Sequence, residues 1–552
     1  MRALVAGLLL AAGSLQAGPA ERPNILVLMA EDLSPRIGAF GDAVAVTPRL
    51  DQLAREGVRY HRVFTTAGVC APSRAAQILG VHQVATGSQH MRTSTRPDGA
   101  YTAVPPPQVK AYPELLRAAG YYTFTDNKLD YQFSGPFKGT GPFTLWSDEG
   151  VRDWRGRAEG QPFYGLVNFM VTHESGVFTP LGSLPLSRRH LLMQLYRWWS
   201  IDVDIPRAVQ PEQVVLPPYY PDTPTVRRDL ARHYNNIAAM DAEVGAILDQ
   251  LAQDGLADNT IVIWTTDHGD GLPRAKRELY DSGLQVPMII RWPARFRPAG
   301  LAPGQRDHRL VSFVDFAPTV LALAGVTAPD YLQGQDFASD TVPPRRYIFA
   351  ARDRIDAVMD RQRAVRDERF KYIRSSYPEQ AGGHPLAFRD NIDMVREMRA
   401  LYAAGKLNPA QRQWFEAPGQ ERLFDLQADP FELNDVSADP RYAADLQRLR
   451  SALDVWTVRV GDVGDEPEAA MVARFGTGGE DKPVTAAPQM RIDNGELRLR
   501  AVTEGSSLAY RLDDGPWQIY RGPVALGRGQ AVTAKAVRYG WLASDTVTGV
   551  GH

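Results

Sequence analysis

Asn24-Ile25-Leu26-Val27-Leu28-Met29-Ala30-Glu31-Asp32 decides the fold class: a continuous apolar run of this length is the mark of a strand buried on both faces of a parallel sheet. In open α/β sheets ligands bind beyond the carboxyl ends of strands, so Glu31 and Asp32 stand where a hard cation would sit. Thr47-Pro48 then opens a helix over 49–56 that stops at Gly57, and a strand over 58–66 follows. Strand, helix, strand predicts a crossover unit and a parallel, doubly wound α/β sheet.

The second strand delivers the chain to Cys70-Ala71-Pro72-Ser73-Arg74, which holds the only cysteine among 552 residues. A lone cysteine forms no internal disulfide, so it serves packing or chemistry. Pro72 and Ser73 open a helix that continues to Leu79, which predicts Cys70 in the loop just before a helix N-terminus, where backbone N–H groups favour an anion. Arg74, one turn in, adds a planar fork suited to an oxyanion.

Cys-x-Pro-Ser-Arg followed by a small-residue helix resembles the signature of the type I sulfatases of the alkaline-phosphatase superfamily, whose cysteine is oxidised after translation to Cα-formylglycine. The resemblance runs in order from about Pro23 to about Phe475. It implies an alkaline-phosphatase-like mixed sheet sandwiched by helices, a smaller antiparallel α+β sub-domain, a formylglycine-generating maturation system and a sulfated substrate.

The composition bounds the architecture. With 44% hydrophobic residues the chain can bury one large core and carry a further small domain. A net charge of −2 argues against nucleic acid as a partner, so any anion site is a local concentration of positive charge. Residues 1–17, a basic start, a short apolar core and a small-residue end, read as a signal peptide. The run is too short to span a bilayer, and no cysteine follows for a lipid anchor. An exported protein, periplasmic or secreted, without stable membrane insertion is expected.

Further along, Gly87-Ser88-Gln89-His90-Met91-Arg92 places His90 and Arg92 as candidate substrate contacts. A helix over 113–119 and a strand over 121–125 lead into Asp126-Asn127-Lys128-Leu129-Asp130, which resembles the sulfatase segment Gly-Lys-x-His. The resemblance gives Lys128 a grip on sulfate; Asp130 replaces the usual histidine, which leaves the base for the elimination step open. The strand over 163–170 ends near His173, and the resemblance assigns that histidine to the sulfate or the leaving group. Residues 180–222 lack clean periodicity and read as a surface excursion over the site mouth, after which a long amphipathic helix starts at Thr223.

A second apolar strand, Thr260-Ile261-Val262-Ile263-Trp264-Thr265-Thr266, ends in Asp267-His268-Gly269. Two buried strands that both end in ligand-type residues form a constellation. Glu31, Asp32, Asp267 and His268 match the family's four protein ligands, with oxidised Cys70 approaching the same ion. Hard carboxylate oxygens suit calcium first and magnesium next. Glu31 is one methylene longer than the Asp the family usually has there. Lys276 follows at the spacing of the family's second sulfate-binding lysine.

These readings divide the chain into a larger catalytic sub-domain over 18–345, a C-terminal sub-domain over 346–475, a linker over 476–488 and a β-only stretch over 489–552. Asp367-Glu368 marks a hairpin turn, and 443–458 a terminal helix. The last stretch resembles the immunoglobulin-like β-sandwich at the ends of chitobiases, with Trp517 and Tyr520 read as core aromatics rather than a sugar platform. Arg352-Asp353-Arg354 and His384 receive no role.

The resemblance implies a reaction. One hydroxyl of hydrated formylglycine, activated by the metal and Asp267, attacks sulfur; Lys128, Lys276, Arg74 and the metal stabilise the sulfuryl oxygens, and His173 assists the leaving group. The remaining hydroxyl then expels sulfate from a formylglycine sulfate ester. Ala30-Glu31-Asp32-Leu33-Ser34-Pro35, Gly87-Ser88-Gln89-His90-Met91-Arg92 and Arg352-Asp353-Arg354 look closer to the heparan N-sulfatase-like branch than to arylsulfatases, so exo-acting desulfation of a glucosamine-containing glycosaminoglycan is expected. A phosphonate monoester or phosphodiester hydrolase on the same fold, and a non-catalytic glycan-binding protein with Cys70 unoxidised, stay open as alternatives.

Overall fold

A computed structural model describes residues 22–552 apart from 92, 94, 95, 97, 182, 201–204, 480 and 481. The expected signal peptide and Arg92 lie outside the described residues. A mixed sheet of nine strands organises the chain: β1 Asn24–Ala30, β2 Val58–Phe64, β3 Tyr122–Thr125, β4 Asp148–Glu149, β5 Phe163–Phe169, β6 Thr260–Thr266, β7 Gln285–Arg291, β8 Arg306–Asp307 and β9 Val311–Ser312. Their order is β4-β3-β5-β1-β6-β7-β2-β8, with β9 on β2.

β1 is central, parallel to β5 and β6, and buried along its whole length. Its alternating side chains divide between two cores. Leu26, Leu28 and Ala30 meet the long helix through Val226, Leu230, Ile237 and Met240; Ile25, Val27 and Met29 meet Ile78, Leu79, Phe316 and Val320 on the other face. The long helix spans Pro224–Gln253, its first turn fixed by Pro224 and by Thr223 Oγ1, which accepts from the Val226 N–H at 3.2 Å.

The sheet is mixed, as the family resemblance implies, although the strand-helix-strand unit taken alone points to a parallel one. β7 runs antiparallel to both β6 and β2, and β6 and β7 lie between β1 and β2. An apolar run identifies a buried strand but does not name its neighbours, and these two enter far later in the chain.

The 180–222 excursion contains a helix, Arg188–Ser200, turned inside out. His190 and Gln194 are buried, with Gln194 Nε2 donating to the carbonyls of Thr179 and Pro180, while Leu192, Trp198 and Trp199 face outward. Inverted burial hides such a helix from a reading that expects apolar residues inside.

A second, antiparallel sheet joins β10 Ile348–Arg352, β11 Gln362–Arg366, β12 Phe370–Ser375 and β13 Glu421–Asp425. It packs on the helix Ala443–Val460 through Leu446, Leu449, Leu453 and Trp456. Beyond it, β14 Gln489–Asp493, β15 Glu496–Arg500, β16 Ser506–Leu512, β17 Gln518–Ile519, β18 Val524–Ala525, β19 Ala531–Arg538 and β20 Val547–Val550 form two facing sheets over Leu497, Tyr510 and Val532.

Trp517 is not a core residue of that sandwich. Its ring meets Phe143 edge-on at 5.5 Å and carries Lys535 at 4.6 Å, so it faces the part of the chain built on the nine-stranded sheet. Tyr539 is fully buried there, stacked on Phe133 at 5.0 Å, and its hydroxyl donates to Glu114 Oε2 at 2.9 Å. The 476–488 stretch is pinned at both ends, Thr477 Oγ1 donating to Thr102 O at 2.6 Å and Thr485 Oγ1 to Leu542 O at 2.7 Å.

Candidate active site

The ends of β1 and β6 and the start of the helix after β2 converge. That helix, Cys70–Leu79, begins at Cys70 itself, two residues earlier than expected, because extended Val69 supplies the carbonyl that accepts the Ser73 N–H at 3.2 Å. Ser73 Oγ donates to the Asp267 carbonyl at 2.6 Å and locks the helix to the end of β6. Cys70 Sγ therefore lies 3.3 Å from His268 Nε2 and 3.7 Å from Asp32 Oδ1, fully buried.

Asp32 turns the chain sharply after β1, with φ +48°, a left-handed conformation that Asp tolerates better than most residues. Its N–H donates to Asp267 Oδ1 at 3.0 Å. Gly271 lets the opposite loop approach: a Cβ there would stand 2.7 Å from Glu174 Cα and 2.9 Å from Asp32 Oδ2.

Asp32, Cys70, Asp267 and His268 each offer a donor atom, all within 4.8 Å of one another and all buried. His268 Nδ1 is bound to Gly269 O at 2.8 Å, which leaves Nε2 for the cluster. Burial alone would lower the imidazole pKa, yet Asp267 and Asp32 hold it well above the usual histidine range. Asp267 shows the converse: burial would raise it, but His268 and Arg74 keep it at about 2. Carboxylates that hold a buried imidazole charged mark a place short of positive charge. Two carboxylates, an imidazole and the group at position 70 fit a hard divalent cation.

Glu31 stands apart from that group. Its carboxylate is held by Arg74 Nη2 and by Lys128 Nζ, the latter at 2.7 Å. Arg74 also reaches Asp267 Oδ2 at 3.3 Å and Asn168 Oδ1 at 2.8 Å. Asp130, φ +58°, lies 3.7 Å from Lys128 Nζ. On the other side of Cys70, Lys276 Nζ donates to Asp32 Oδ2 at 2.6 Å and approaches Glu174 Oε1 at 3.0 Å and His173 Nε2 at 3.5 Å.

Burial alone would strip both lysines of their charge; Cys70 and Glu31 at Lys128, and Asp32 at Lys276, raise them above the usual lysine range. His173 is pushed down to about 3 by burial and Lys276, so its ring is neutral. Its Nδ1 accepts the Ser175 N–H at 3.3 Å and lies 3.0 Å from Ser175 Oγ, which leaves Nε2 as the nitrogen facing the cluster.

His90 is brought to the neighbourhood but not into the cluster. It is buried in the field of Glu468 and Arg354, while Met91 beside it packs on Cys70 and Ala71. Three residues escaped the sequence reading. Asn168 links Arg74 to Asp126, donating to Asp126 Oδ1 at 2.6 Å; its signal was a polar residue inside an apolar strand. Glu174 is gripped by both terminal nitrogens of Arg277 at 2.8 Å, and its N–H donates to Asp32 Oδ2 at 2.6 Å. Against its burial, Arg277 and Lys276 hold the Glu174 carboxyl at about 2.

The sulfatase family model matches residues 23–166 and 149–326, and that of the N-sulphoglucosamine sulphohydrolase C-terminal region matches 274–415. An ulvan-active sulfatase of Formosa agariphila is 41% identical over 96% of this chain and 91% of its own. Human N-sulphoglucosamine sulphohydrolase is 26% identical, over 81% of this chain and 92% of its own. A solved structure in complex with its substrate D-glucosamine-2-N,6-O-disulfate shares the fold at TM-score 0.55 and 18% identity, over 81% of this chain and 99% of that one.

Proposed function

Because the chain belongs to the sulfatase family, we propose that it removes sulfate from a sulfated polysaccharide, with ulvan as the first candidate, one terminal group at a time. The observation that carries this reading is the convergence of three cations around the buried Cys70, Asp32, Asp267 and His268 cluster, Arg74 on Asp267, Lys276 on Asp32 and Lys128 beside them on Glu31.

A formylglycine at position 70 and a divalent ion held by Asp32, Asp267 and His268, calcium before magnesium, supply an oxygen nucleophile and a Lewis acid when present. The chain's own residues do the rest. Lys128, Lys276 and Arg74 stay charged and face the place where a sulfo group would sit, which suits them to the negative charge that develops there. His173 Nε2 serves as donor to the departing oxygen. Asp130, in the position of the family's histidine, is the proton acceptor for the release of sulfate. Lys128 and His173 are 5% and 9% exposed and Asp32, Cys70, Asp267 and His268 not at all, so the opening suits a sulfo group on a chain end. Export and a formylglycine-generating maturation system belong to the same reading.

A second reading, N-sulfated glucosamine as substrate, draws on the match of residues 274–415. One experiment separates the two and tests both. Protein matured with a formylglycine-generating system, confirmed by peptide mass across position 70, is assayed on ulvan oligosaccharides, on N-, 2-O-, 3-O- and 6-O-sulfated glucosamine and uronate saccharides, on an aryl sulfate and on an aryl phosphonate. Sulfate release from ulvan fragments is expected, with none from Cys70→Ala. Preference for the phosphonate, or an active Cys70→Ala variant, would overturn the proposal.

A further inference from the structure

A basic groove lies away from the Cys70 cluster, on the outer side of the second sheet. Two cavities of about 630 and 440 Å³ adjoin, sharing Pro344, Arg345, Arg346 and Arg448. Arg459 lines the larger and Arg369 the smaller, so five guanidiniums line the groove beside Asp367 and Glu368, and three of the five are also paired with Asp315, Asp425 and Asp445. These three are fixed in place: Arg345 by Asp315, Arg369 by Asp425 at 2.7 Å, Arg448 by Asp367 at 2.7 Å. Arg346 and Arg459 are exposed, and among the described residues neither has a carboxylate partner.

The floor is aromatic. Arg346 and Arg448 lie over the Tyr347 ring at 5.2 and 6.0 Å, and Phe349 stacks on Trp456 at 5.0 Å beside exposed Val455. Fixed guanidiniums recognise sulfate or carboxylate by paired N–H donors. Because the guanidiniums follow one another along a groove through both cavities, with Arg346 and Arg459 left without a carboxylate among the described residues, they fit a repeating polyanion better than one ion.

We propose that this groove is a second binding site, one that holds an anionic glycan chain while its end is processed elsewhere. The ligand class rests on the sulfatase reading above; the binding itself does not depend on catalysis. β10 leads from the groove at Tyr347 to Arg352, about 17 Å away at strand rise. There Arg352 Nη1 donates to Glu278 Oε2 at 2.6 Å, next to Arg277 of the catalytic wall. A nucleic acid is the less favoured occupant, because the Tyr347 ring is already covered by guanidinium and offers bases no free face.

Calorimetry with the full-length Cys70→Ala chain tests the proposal independently of turnover, with a heparin decasaccharide, an ulvan polymer and poly(uridylic acid) as probes. Arg346→Ala/Arg459→Ala is expected to weaken binding of a sulfated glycan about tenfold or more, and Arg346→Glu/Arg459→Glu to abolish it. With Cys70 restored, the double alanine variant should keep its kcat/KM on an aryl sulfate and raise KM on the polymer alone. Glycan affinity within about twofold of the parent in both variants, no glycan binding by the parent chain, or tighter binding of poly(uridylic acid) each overturns the proposal. Glycan binding that responds as expected in a chain inactive on every sulfate would sink the catalytic reading and leave the groove standing.

Discussion

On one side of Cys70, Arg74 and Lys128 converge on the single carboxylate of Glu31; on the other, Lys276 and Arg277 divide between Asp32 and Glu174. Both walls place two cations on buried acids, but they leave different cations free to meet a substrate. Arg277 is committed, both of its terminal nitrogens taken by Glu174, so Lys276 is the one mobile charge of its wall. Arg74, tied to Glu31, Asp267 and Asn168, keeps a second positive charge beside Lys128, so this wall retains a cation at the site when Lys128 is removed. Two walls of equal charge are therefore expected to differ in how much a single substitution costs.

Replacing each lysine breaks the comparison most directly. Lys276→Ala leaves its wall without a mobile cation and is expected to lower kcat/KM on an aryl sulfate by about 10³; Lys128→Ala, with Arg74 behind it, by about 10². Steady-state kinetics on the two variants checks this, and equal losses would remove the asymmetry.

Glu174 tests the committed pair. Burial makes an uncompensated charge expensive, so Glu174→Ala and Arg277→Ala are each expected to lower stability by about 3 kcal/mol, read from denaturant midpoints. The double variant should recover part of that, because no lone charge is left behind. A double variant as unstable as the sum of the two singles would show that Glu174 and Arg277 act separately.

The two walls also differ in how far the sequence announced them. Cys70 with Arg74, and the acid-tipped ends of β1 and β6, are contiguous patterns whose chemistry follows from residue type and strand-end position. Lys128 was found through a local motif. Glu174 and Arg277 had no such pattern: each sits beside a predicted residue, and their partnership exists because the loop after β5 meets the loop after β6 across Asp32. Sequence spacing carries no trace of that meeting. The sheet behaved likewise, since burial made β1 evident while the insertion of β6 and β7 beside it was set by long-range pairing. Arg188–Ser200 was hidden for the opposite reason, local periodicity with its faces exchanged.

The smallest expected effect sharpens the comparison from outside the site. The Lys128 wall leans on the C-terminal sandwich: Tyr539 stacks on Phe133 at 5.0 Å and 15°, and Phe133 on Tyr131 at 5.5 Å and 23°. Between Lys128 and Phe133, Asp130 and Gln132 hold φ at +58° and +64°. Non-glycine residues keep such angles, at about 1 kcal/mol or more each, only where packing over-determines them. The Lys276 wall has no aromatic support from the sandwich among the described contacts. Tyr539→Leu should therefore relax the 128–133 segment and lower kcat/KM about fivefold, the equivalent of about 1 kcal/mol of coupling. Tyr539→Phe keeps the ring, loses the bond to Glu114 and the one its oxygen accepts from the Ala111 N–H at 3.4 Å, and should cost about 1 kcal/mol of stability with little change in rate. The decisive measurement is the pair of double variants. If Tyr539 acts through Lys128, the loss from Tyr539→Leu vanishes in a Lys128→Ala background and persists in full in a Lys276→Ala background. Equal additivity in both would mean that the sandwich supports the fold as a whole and favours neither wall.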